Sequence, residues 1–234
     1  MRINKYIAQA GIASRRKADD LILNGNVKVN GAVMKEPGYD VAEGDKVEVN
    51  GRLLENRTKL EYVLINKPTG MVTTVSDDKD RLTVMEVVKD IDARLFPVGR
   101  LDYNTSGALL MTNDGEMAYK LTHPKHEVYK TYRARVAGVL SNEKVARLRK
   151  GVDIGGFVTS RAKVNVIKGN QHSTIVEISI HEGKNRQVRK MFAAVGNPVQ
   201  ELERTAIGEI RLGHLKPGHY RKLTREEIQY LRSV

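Results

Sequence analysis

One loop of this sequence sets a carboxylate close to a guanidinium between two apolar runs. Asp102 and Arg100 lie in the polar stretch 99–107, which is preceded by the apolar residues 95–98 and followed by 108–111. Because a nearby cation keeps a carboxylate ionised, Asp102 is a candidate nucleophile or general base. Asp is more often a turn residue than a catalyst, so the loop alone leaves a structural role open.

A tyrosine is the second candidate group. Tyr132 lies in the alternating stretch 128–136, where Lys130 shares its side of the predicted strand and Arg133 and Arg135 lie on the other. A tyrosine on the apolar side of a strand is usually a core residue, so its position by itself says little about chemistry.

The third candidate segment, residues 181–191, joins a predicted strand to a predicted helix. Lys184 comes before the helix, and Arg186, Arg189 and Lys190 follow at i, i+3 and i+4 spacing, which predicts one shared basic face. Cations near a helix start suit an anion. A charge stripe on an amphipathic helix is ordinarily just solvated, and only the preceding strand favours a functional role.

The overall charge favours a polyanionic partner. Forty Lys and Arg against 28 Asp and Glu give a net charge of +12, which concentrates polyanions such as nucleic acids around the protein. Trp is absent and there are 3 Phe, which disfavours a wide stacking platform for single strands and favours recognition of folded RNA. The absence of Cys excludes disulfides, thiolate metal sites and cysteine nucleophiles.

No stretch is apolar and long enough for a membrane span, and the first residues lack the apolar run of a secretory signal. We therefore expect a cytoplasmic protein without a membrane partner. No long heptad pattern or exposed apolar stripe is evident, so we also expect a monomer.

Residues 1–55 are predicted to form a small unit of two helices followed by a short sheet. Gly11 ends the first helix, Ser14 caps the second, Gly25 ends it, and Asn30-Gly31 predicts a hairpin. The cations of the first 17 residues, which include no acid, lie near the starts of these helices and suit phosphates; they are Arg2, Lys5, Arg15, Arg16 and Lys17.

Residues 56–60 are polar and are predicted to be a linker to a second domain, 61–234. In that domain strands are predicted at 62–66, 71–75, 107–112, 128–137, 162–168 and 172–181. Helices are predicted at 82–90, 114–122, 141–149, 185–195 and 224–232, the last beginning with a Thr224–Glu227 capping box. The fold class is therefore α+β with a largely antiparallel sheet.

Two family resemblances follow from these motifs. Residues 2–7, 11–19 and 25–31 resemble the S4 RNA-binding domain. Residues 67–70 (Lys-Pro-Thr-Gly), 99–102 (Gly-Arg-Leu-Asp) and 182–191 resemble the catalytic domain of S4-containing ribosomal RNA pseudouridine synthases. The Tyr103-Asn104 form of the loop and the sequence of 182–186 favour the large-subunit type.

The resemblance implies a role for each candidate. By it, Asp102 is the essential carboxylate, Tyr132 the aromatic group over the target base, and Arg189 the cation paired with Asp102. It implies ribosomal RNA or a ribosomal precursor particle as partner. Contacts to RNA are expected from the N-terminal cations and from Arg100, Lys184, Arg186 and Lys190.

Isomerising uridine needs neither redox change nor net hydrolysis, so we expect no cofactor, and the sequence has no dinucleotide or phosphate-loop pattern. His123 and His126 flank a proline without a third metal ligand nearby. Two alternatives stay open on sequence: a noncatalytic S4-type ribosome-associated factor, and an S4-linked RNA methyltransferase. The second would require a Gly-rich loop after a parallel strand, and none is evident.

Overall fold

The structure, a computed structural model, describes residues 1–54 and 59–234. The chain divides into two compact units, one of Met1–Glu61 with Asn113–Gly115 and one of Tyr62–Thr112 with Glu116–Val234. Of the linker predicted at 56–60, residues 56–58 lie outside the described residues. The division into 1–55, 56–60 and 61–234 therefore stays a prediction.

The first unit consists of two helices and a four-stranded antiparallel sheet. Its elements are α1 (Ile3–Gln9), α2 (Arg15–Leu23), β1 (Val27–Val29), β2 (Ala32–Val33), β3 (Val47–Val49) and β4 (Arg52–Leu53), with sheet order β2-β1-β3-β4. The inward residues of both helices and of β1 and β3 form one core, which includes Ile3, Ile7 and Ile22.

The local signals of this unit act as predicted. The Ser14 side chain caps α2 by accepting a hydrogen bond from the Lys17 amide at 3.2 Å. Asn30 and Gly31 have φ of 52° and 82°, the left-handed pair that a tight hairpin between β1 and β2 requires. The predicted two helices and short sheet are thus confirmed.

The second unit is built on one large sheet. Its strands are β5 (Tyr62–Lys67), β6 (Phe96–Pro97), β7 (Ser106–Thr112), β8 (Lys130–Ala137), β9 (Lys163–Gly169), β10 (Ser173–Ile180), β11 (Val199–Ile207), β12 (Ile210–Arg211) and β13 (Tyr220–Lys222). The order is β13-β5-β7-β11-β8-β10-β9, with β12 beside β11 and β6 beside β7. Among the strand pairs of the described residues, only β7 and β11 run parallel. The predicted α+β class with a largely antiparallel sheet is confirmed.

The helices of this part of the chain are α3 (Gly115–Thr122), α4 (Asn142–Lys150), α5 (Gln187–Ala194) and α6 (Arg225–Ser233), with 3-10 helices at Val84–Val88 and Pro124–His126. The capping box that begins α6 is present as predicted. None of the helices in residues 1–54 and 59–234 is both long and apolar enough to cross a membrane.

Two predicted elements differ from the structure. The helix predicted at 82–90 is a shorter 3-10 helix at Val84–Val88. A bridge between Thr83 and Val72 keeps the chain extended up to Thr83, and β-branched side chains disfavour an α-helix after it. The strand predicted at 71–75 is reduced to one bridge between Val72 and Thr83.

The large sheet has a core on each face. One face carries two buried clusters, the first around Ala134, Ile178 and Phe192 and the second around Ile65 and Leu109. The residues next to these along the strands, such as Leu64 and Leu110, point to the opposite face and belong to a third cluster. Tyr132 packs against both clusters of the first face, so it lies where they meet.

Candidate active site

The loop that carries Asp102 is fixed on both sides by hydrogen bonds. The buried Thr73 hydroxyl donates to the Leu101 carbonyl at 2.8 Å and accepts from the Leu101 amide at 3.2 Å. On the other side, the Thr105 amide donates to the Asp102 carbonyl at 3.0 Å, closing a turn. The carboxylate is therefore presented from a backbone that its neighbours hold in place.

The carboxylate of Asp102 is partly accessible, with 32% of its side chain exposed. The ion pair it forms is with Arg186, whose Nη1 lies 3.8 Å from Oδ2. That distance is long for a charge-assisted hydrogen bond, so the pair is loose. Partial exposure together with a loose partner leaves the carboxylate oxygens able to reach a substrate.

Arg189 braces the loop instead of bonding directly to the carboxylate. Its Nη2 donates to the Asn104 carbonyl at 2.8 Å and to the Thr105 hydroxyl at 3.4 Å, and its Nη1 to the Val199 carbonyl at 3.4 Å. Burial lowers the pKa of Arg189, the Arg186 charge lowers it further, and the Asp102 charge opposes the shift. Arg189 is thus within electrostatic reach of Asp102 while its hydrogen bonds go to the loop.

The helix that carries Arg189 begins later than predicted. Arg186 has φ of 52° and is the N-cap of α5, which begins at Gln187 and not at 185. Gln187 is buried and donates to Glu182 at 2.6 Å, and Glu182 also accepts from the Ser160 hydroxyl at 2.7 Å. These bonds fix the turn, so Arg186 and Arg189 converge on Asn104 although only Arg189 lies inside the helix.

Four neighbouring strands align Tyr132 with the loop. In the pairing register, Lys67 of β5 lies opposite Gly107 of β7, Gly107 opposite Arg204 of β11, and Arg204 opposite Tyr132 of β8. Residues directly opposite one another project from the same face of a sheet. This row therefore leads from Tyr132 to the strand that follows Asp102.

Lys67 is a buried cation at one end of that row. It has no exposed surface, and its Nζ donates to the carbonyls of Pro68 and Thr105, both at 2.9 Å. Burial lowers the pKa of Lys67 to about 8; the Asp102 charge acts to raise it and the Arg204 charge to lower it. Lys67 thus ties the turn after β5 to the end of the Asp102 loop.

Lys130 adds another half-buried cation on the face of Tyr132. Its Nζ donates to the His181 carbonyl at 3.4 Å. Burial lowers its pKa to about 8, and the charge of Arg204 contributes to the shift. Electrostatic interactions therefore connect Asp102 with Lys67, Lys67 with Arg204, and Arg204 with Lys130. One carboxylate among so many cations makes the site suited to an anionic substrate.

The remaining cations predicted to bind RNA lie at the surface. Arg100 and Lys190 are exposed, and Lys184 lies over the Phe157 ring at 4.5 Å. In the first unit Arg15, Arg16 and Lys17 are exposed at the start of α2. Lys5 of the same unit is half-buried, and Arg2 is exposed and bonds to the Gly38 carbonyl and pairs with Asp40 at 3.5 Å.

Sequence reasoning assigned no role to Lys67, Lys130 or Arg204. A signal existed for each, because each is a cation at an inward position of an apolar strand, as Arg204 is between Leu202 and Ala206. Inward cations are rare unless they are paired or functional. Thr73 had no comparable signal, since its bonds to Leu101 join residues far apart in the chain.

Comparison with known proteins assigns both units to families. A family model described as RNA pseudouridylate synthase matches residues 61–194, and a model of the S4 domain matches residues 1–47. Ribosomal large subunit pseudouridine synthase B of Bacillus subtilis (strain 168) is 45% identical over 235 residues, covering 100% of this chain and 96% of its own.

Two further proteins show the same likeness. An uncharacterized RNA pseudouridine synthase of Aquifex aeolicus (strain VF5) is 41% identical, covering 99% of this chain and 93% of its own. A crystal structure of a pseudouridylate synthase has a TM-score of 0.69 at 32% identity, covering 99% of each chain. These findings decide between the catalytic and noncatalytic interpretations that the sequence left open. The chain therefore belongs to the RNA pseudouridylate synthase family: it is an RNA-modifying isomerase with an S4 domain.

Proposed function

We propose that this enzyme converts a specific uridine of ribosomal RNA, in the large subunit, to pseudouridine, and that Asp102 is its essential catalytic group. The observation that carries the proposal is the position of Asp102, a partly exposed carboxylate on a loop that Thr73, Lys67 and Arg189 fix by hydrogen bonds. The ribosomal name of the Bacillus relative and the Tyr103-Asn104 form of the loop support the choice of substrate.

The reaction rearranges bonds within one nucleotide. The bond between N1 and C1′ breaks, the uracil turns while bound, and C5 joins C1′; the C5 proton is lost and N1 gains one. Electrons and atoms balance without an oxidant, a reductant or water. Asp102 serves either by attacking C1′ or by accepting a proton, and its accessible oxygens suit both roles.

Tyr132 is the aromatic group proposed to stack on the uracil. Its ring is half-buried at the junction of two core clusters, which restricts its motion, and the Lys67–Gly107–Arg204–Tyr132 row aligns it with the Asp102 loop. We assign Arg189 to holding that loop and Arg186 to the direct ion pair with Asp102. The pairing of Asp102 with Arg189 that the resemblance implies then requires Arg189 to move when RNA binds.

The target nucleotide must leave its stack to reach Asp102, which costs a few kcal/mol and least in loops and bulges. Surface cations of both units offset this cost by holding phosphates of the RNA. We assign that role to Arg100, Lys184 and Lys190 in the second unit and to the N-terminal cations Arg2, Lys5, Arg15, Arg16 and Lys17.

The test is tritium release from ribosomal RNA labelled at uridine C5. We expect Asp102→Asn to slow release roughly 10³-fold or more, because the amide is neither a nucleophile nor a base, while RNA affinity stays within about twofold. Asp92→Asn, at an exposed aspartate of the same unit, is the matched control and should release tritium at the normal rate. Substantial release by Asp102→Asn would refute the assignment.

A further inference from the structure

Arg204 is a buried cation that the reaction as described so far does not use. Only 4% of its surface is exposed, and its Nε donates to the Ala108 carbonyl at 2.7 Å. Its Nη2 is buried without a hydrogen-bond partner, and within residues 1–54 and 59–234 it forms no ion pair with a carboxylate. A buried charge without a carboxylate is costly, so its position calls for a functional explanation.

The guanidinium of Arg204 lies beside the Tyr132 ring. The two residues are paired across β11 and β8, and the Arg204 Cζ is 6.0 Å from the ring centroid. A cation over an aromatic face is attracted by the ring, and more strongly when water is excluded, as it is around this side chain. Arg204 therefore restricts where the ring of Tyr132 can lie.

Arg204 also contacts the strand that follows the Asp102 loop. Its Nε–Ala108 bond joins β11 to β7, and a Cβ at Gly107 would lie 2.2 Å from the Arg204 carbonyl oxygen. The two backbones can approach this closely only because residue 107 has no side chain. One arginine thus contacts the strand that leads from Asp102 and the ring of Tyr132.

We propose that Arg204 is a positioning residue for the isomerisation: it fixes the Tyr132 ring relative to the strand that presents Asp102. The inference rests on the proposed function, in which Tyr132 stacks on the target uracil. Arg204 acts through Tyr132 and does not itself touch the substrate, since its surface is buried. Because Nη2 has no hydrogen-bond partner, the guanidinium is oriented by the Tyr132 ring and by the bond from Nε to the Ala108 carbonyl.

The test is a double-mutant cycle on the single-turnover rate. Arg204→Met keeps a side chain of similar length without the charge, and we expect the rate to fall roughly 30-fold, equivalent to about 2 kcal/mol for a desolvated cation–π contact. RNA affinity should stay within about twofold, because the surface cations are unchanged. In a Tyr132→Leu background the same substitution should add less than about threefold, because the ring that Arg204 positions is gone.

Two further variants keep the test decisive. Arg133→Met, at an exposed arginine on the other side of β8, is the matched control and should leave the rate unchanged. Should Arg204→Met fail to fold, Arg204→Lys replaces it, and a folded Lys variant about tenfold slower at normal RNA affinity supports the proposal. Should Tyr132→Leu release no measurable tritium, the 19F resonance of a fluorotyrosine placed at position 132 replaces the cycle, and Arg204→Lys should shift it.

Three results would overturn the inference: a normal rate in the folded Met or Lys variant, an equal fold-loss in both Tyr132 backgrounds, or an unmoved 19F resonance. A normal rate in Tyr132→Leu alone would instead refute the proposed role of that tyrosine. The two failures are therefore distinguishable.

Discussion

The two units of this protein place their positive charge differently. In the first unit Arg15, Arg16 and Lys17 extend into solvent at the start of α2, whereas in the second Lys67 and Arg204 are buried and donate to backbone carbonyls beside the Asp102 loop. Exposed cations attract phosphates over a distance, and salt weakens this attraction. Buried cations cost stability and fix geometry instead. Under the proposed function, the exposed cations of the first unit capture RNA and the buried cations of the second fix the geometry around Asp102.

Among the substitutions considered for the second unit, we expect one at Gly107 to reduce stability the most. It has φ of 106°, and a Cβ there would meet the Arg204 backbone at 2.2 Å. We expect Gly107→Ala to lower the free energy of unfolding by more than about 3 kcal/mol, because one backbone must shift or β7 and β11 must separate. Thermal or urea unfolding measures this loss.

A glycine of the first unit supplies the control. Gly31 has φ of 82° but nothing within 4 Å of an added Cβ, so Gly31→Ala should cost only the conformational strain of about 1–2 kcal/mol. Equal losses at the two positions would show that close approach of β7 and β11 is unimportant.

The next effect concerns the buried lysine. Lys67→Met removes the bonds from Nζ to Pro68 and Thr105 and a positive charge that interacts with Asp102, and we expect the single-turnover rate to fall roughly 100-fold. Stability should change little, since an apolar side chain of similar length replaces a desolvated charge. A rate within about threefold of normal would contradict the role given to Lys67.

Alkaline pH should change the reaction rate and the stability of the second unit in opposite directions. The pKa of Lys67 is about 8 against the ordinary 10.5, so between these values the unfolded chain binds more protons than the folded one. Lys67 therefore contributes an increase in the free energy of unfolding as pH rises through this window, while the rate falls above about pH 8 as its charge is lost. A rate that rises through pH 9 would contradict the requirement for a charged Lys67.

The smallest expected effect is the loss of RNA affinity when exposed cations of the first unit are replaced. Replacing Arg15, Arg16 and Lys17 together by Gln should weaken RNA binding roughly tenfold and reduce the slope of log affinity against log salt by about 2, with the rate at saturating RNA unchanged. Filter binding at several salt concentrations measures both quantities.

Its control removes the same charge elsewhere on the first unit. Lys28, Lys35 and Arg52 are also exposed, so their replacement by Gln tests net charge without the start of α2. An equal loss of affinity in both triple variants would mean that total charge, and not its placement, captures the RNA.

Much of the fold was predictable because its signals are local. The Ser14 cap, the Asn30-Gly31 turn and the Thr224–Glu227 capping box act within a few residues, and β10 lies within the strand predicted at 172–181. The helix at Val84–Val88 is shorter than predicted because Thr83 is held extended by its bridge with Val72, a contact between residues that are not neighbours in the chain.

The site was predictable only as separate segments. Sequence motifs identified the Asp102 loop, Tyr132 and the turn before α5, but not the row that joins them, because its register links β5, β7, β11 and β8 across the sheet. The left-handed N-cap at Arg186 likewise redirects that side chain toward Asp102 in a way that helical spacing could not indicate.

The most direct test of the account is pseudouridine mapping in ribosomal RNA from cells that lack this protein. We expect that a position in the large-subunit RNA loses its pseudouridine, that the wild-type protein restores it, and that Asp102→Asn, expressed at the same level, does not. An unchanged pseudouridine map in the absence of the protein, or restoration by Asp102→Asn, would contradict it.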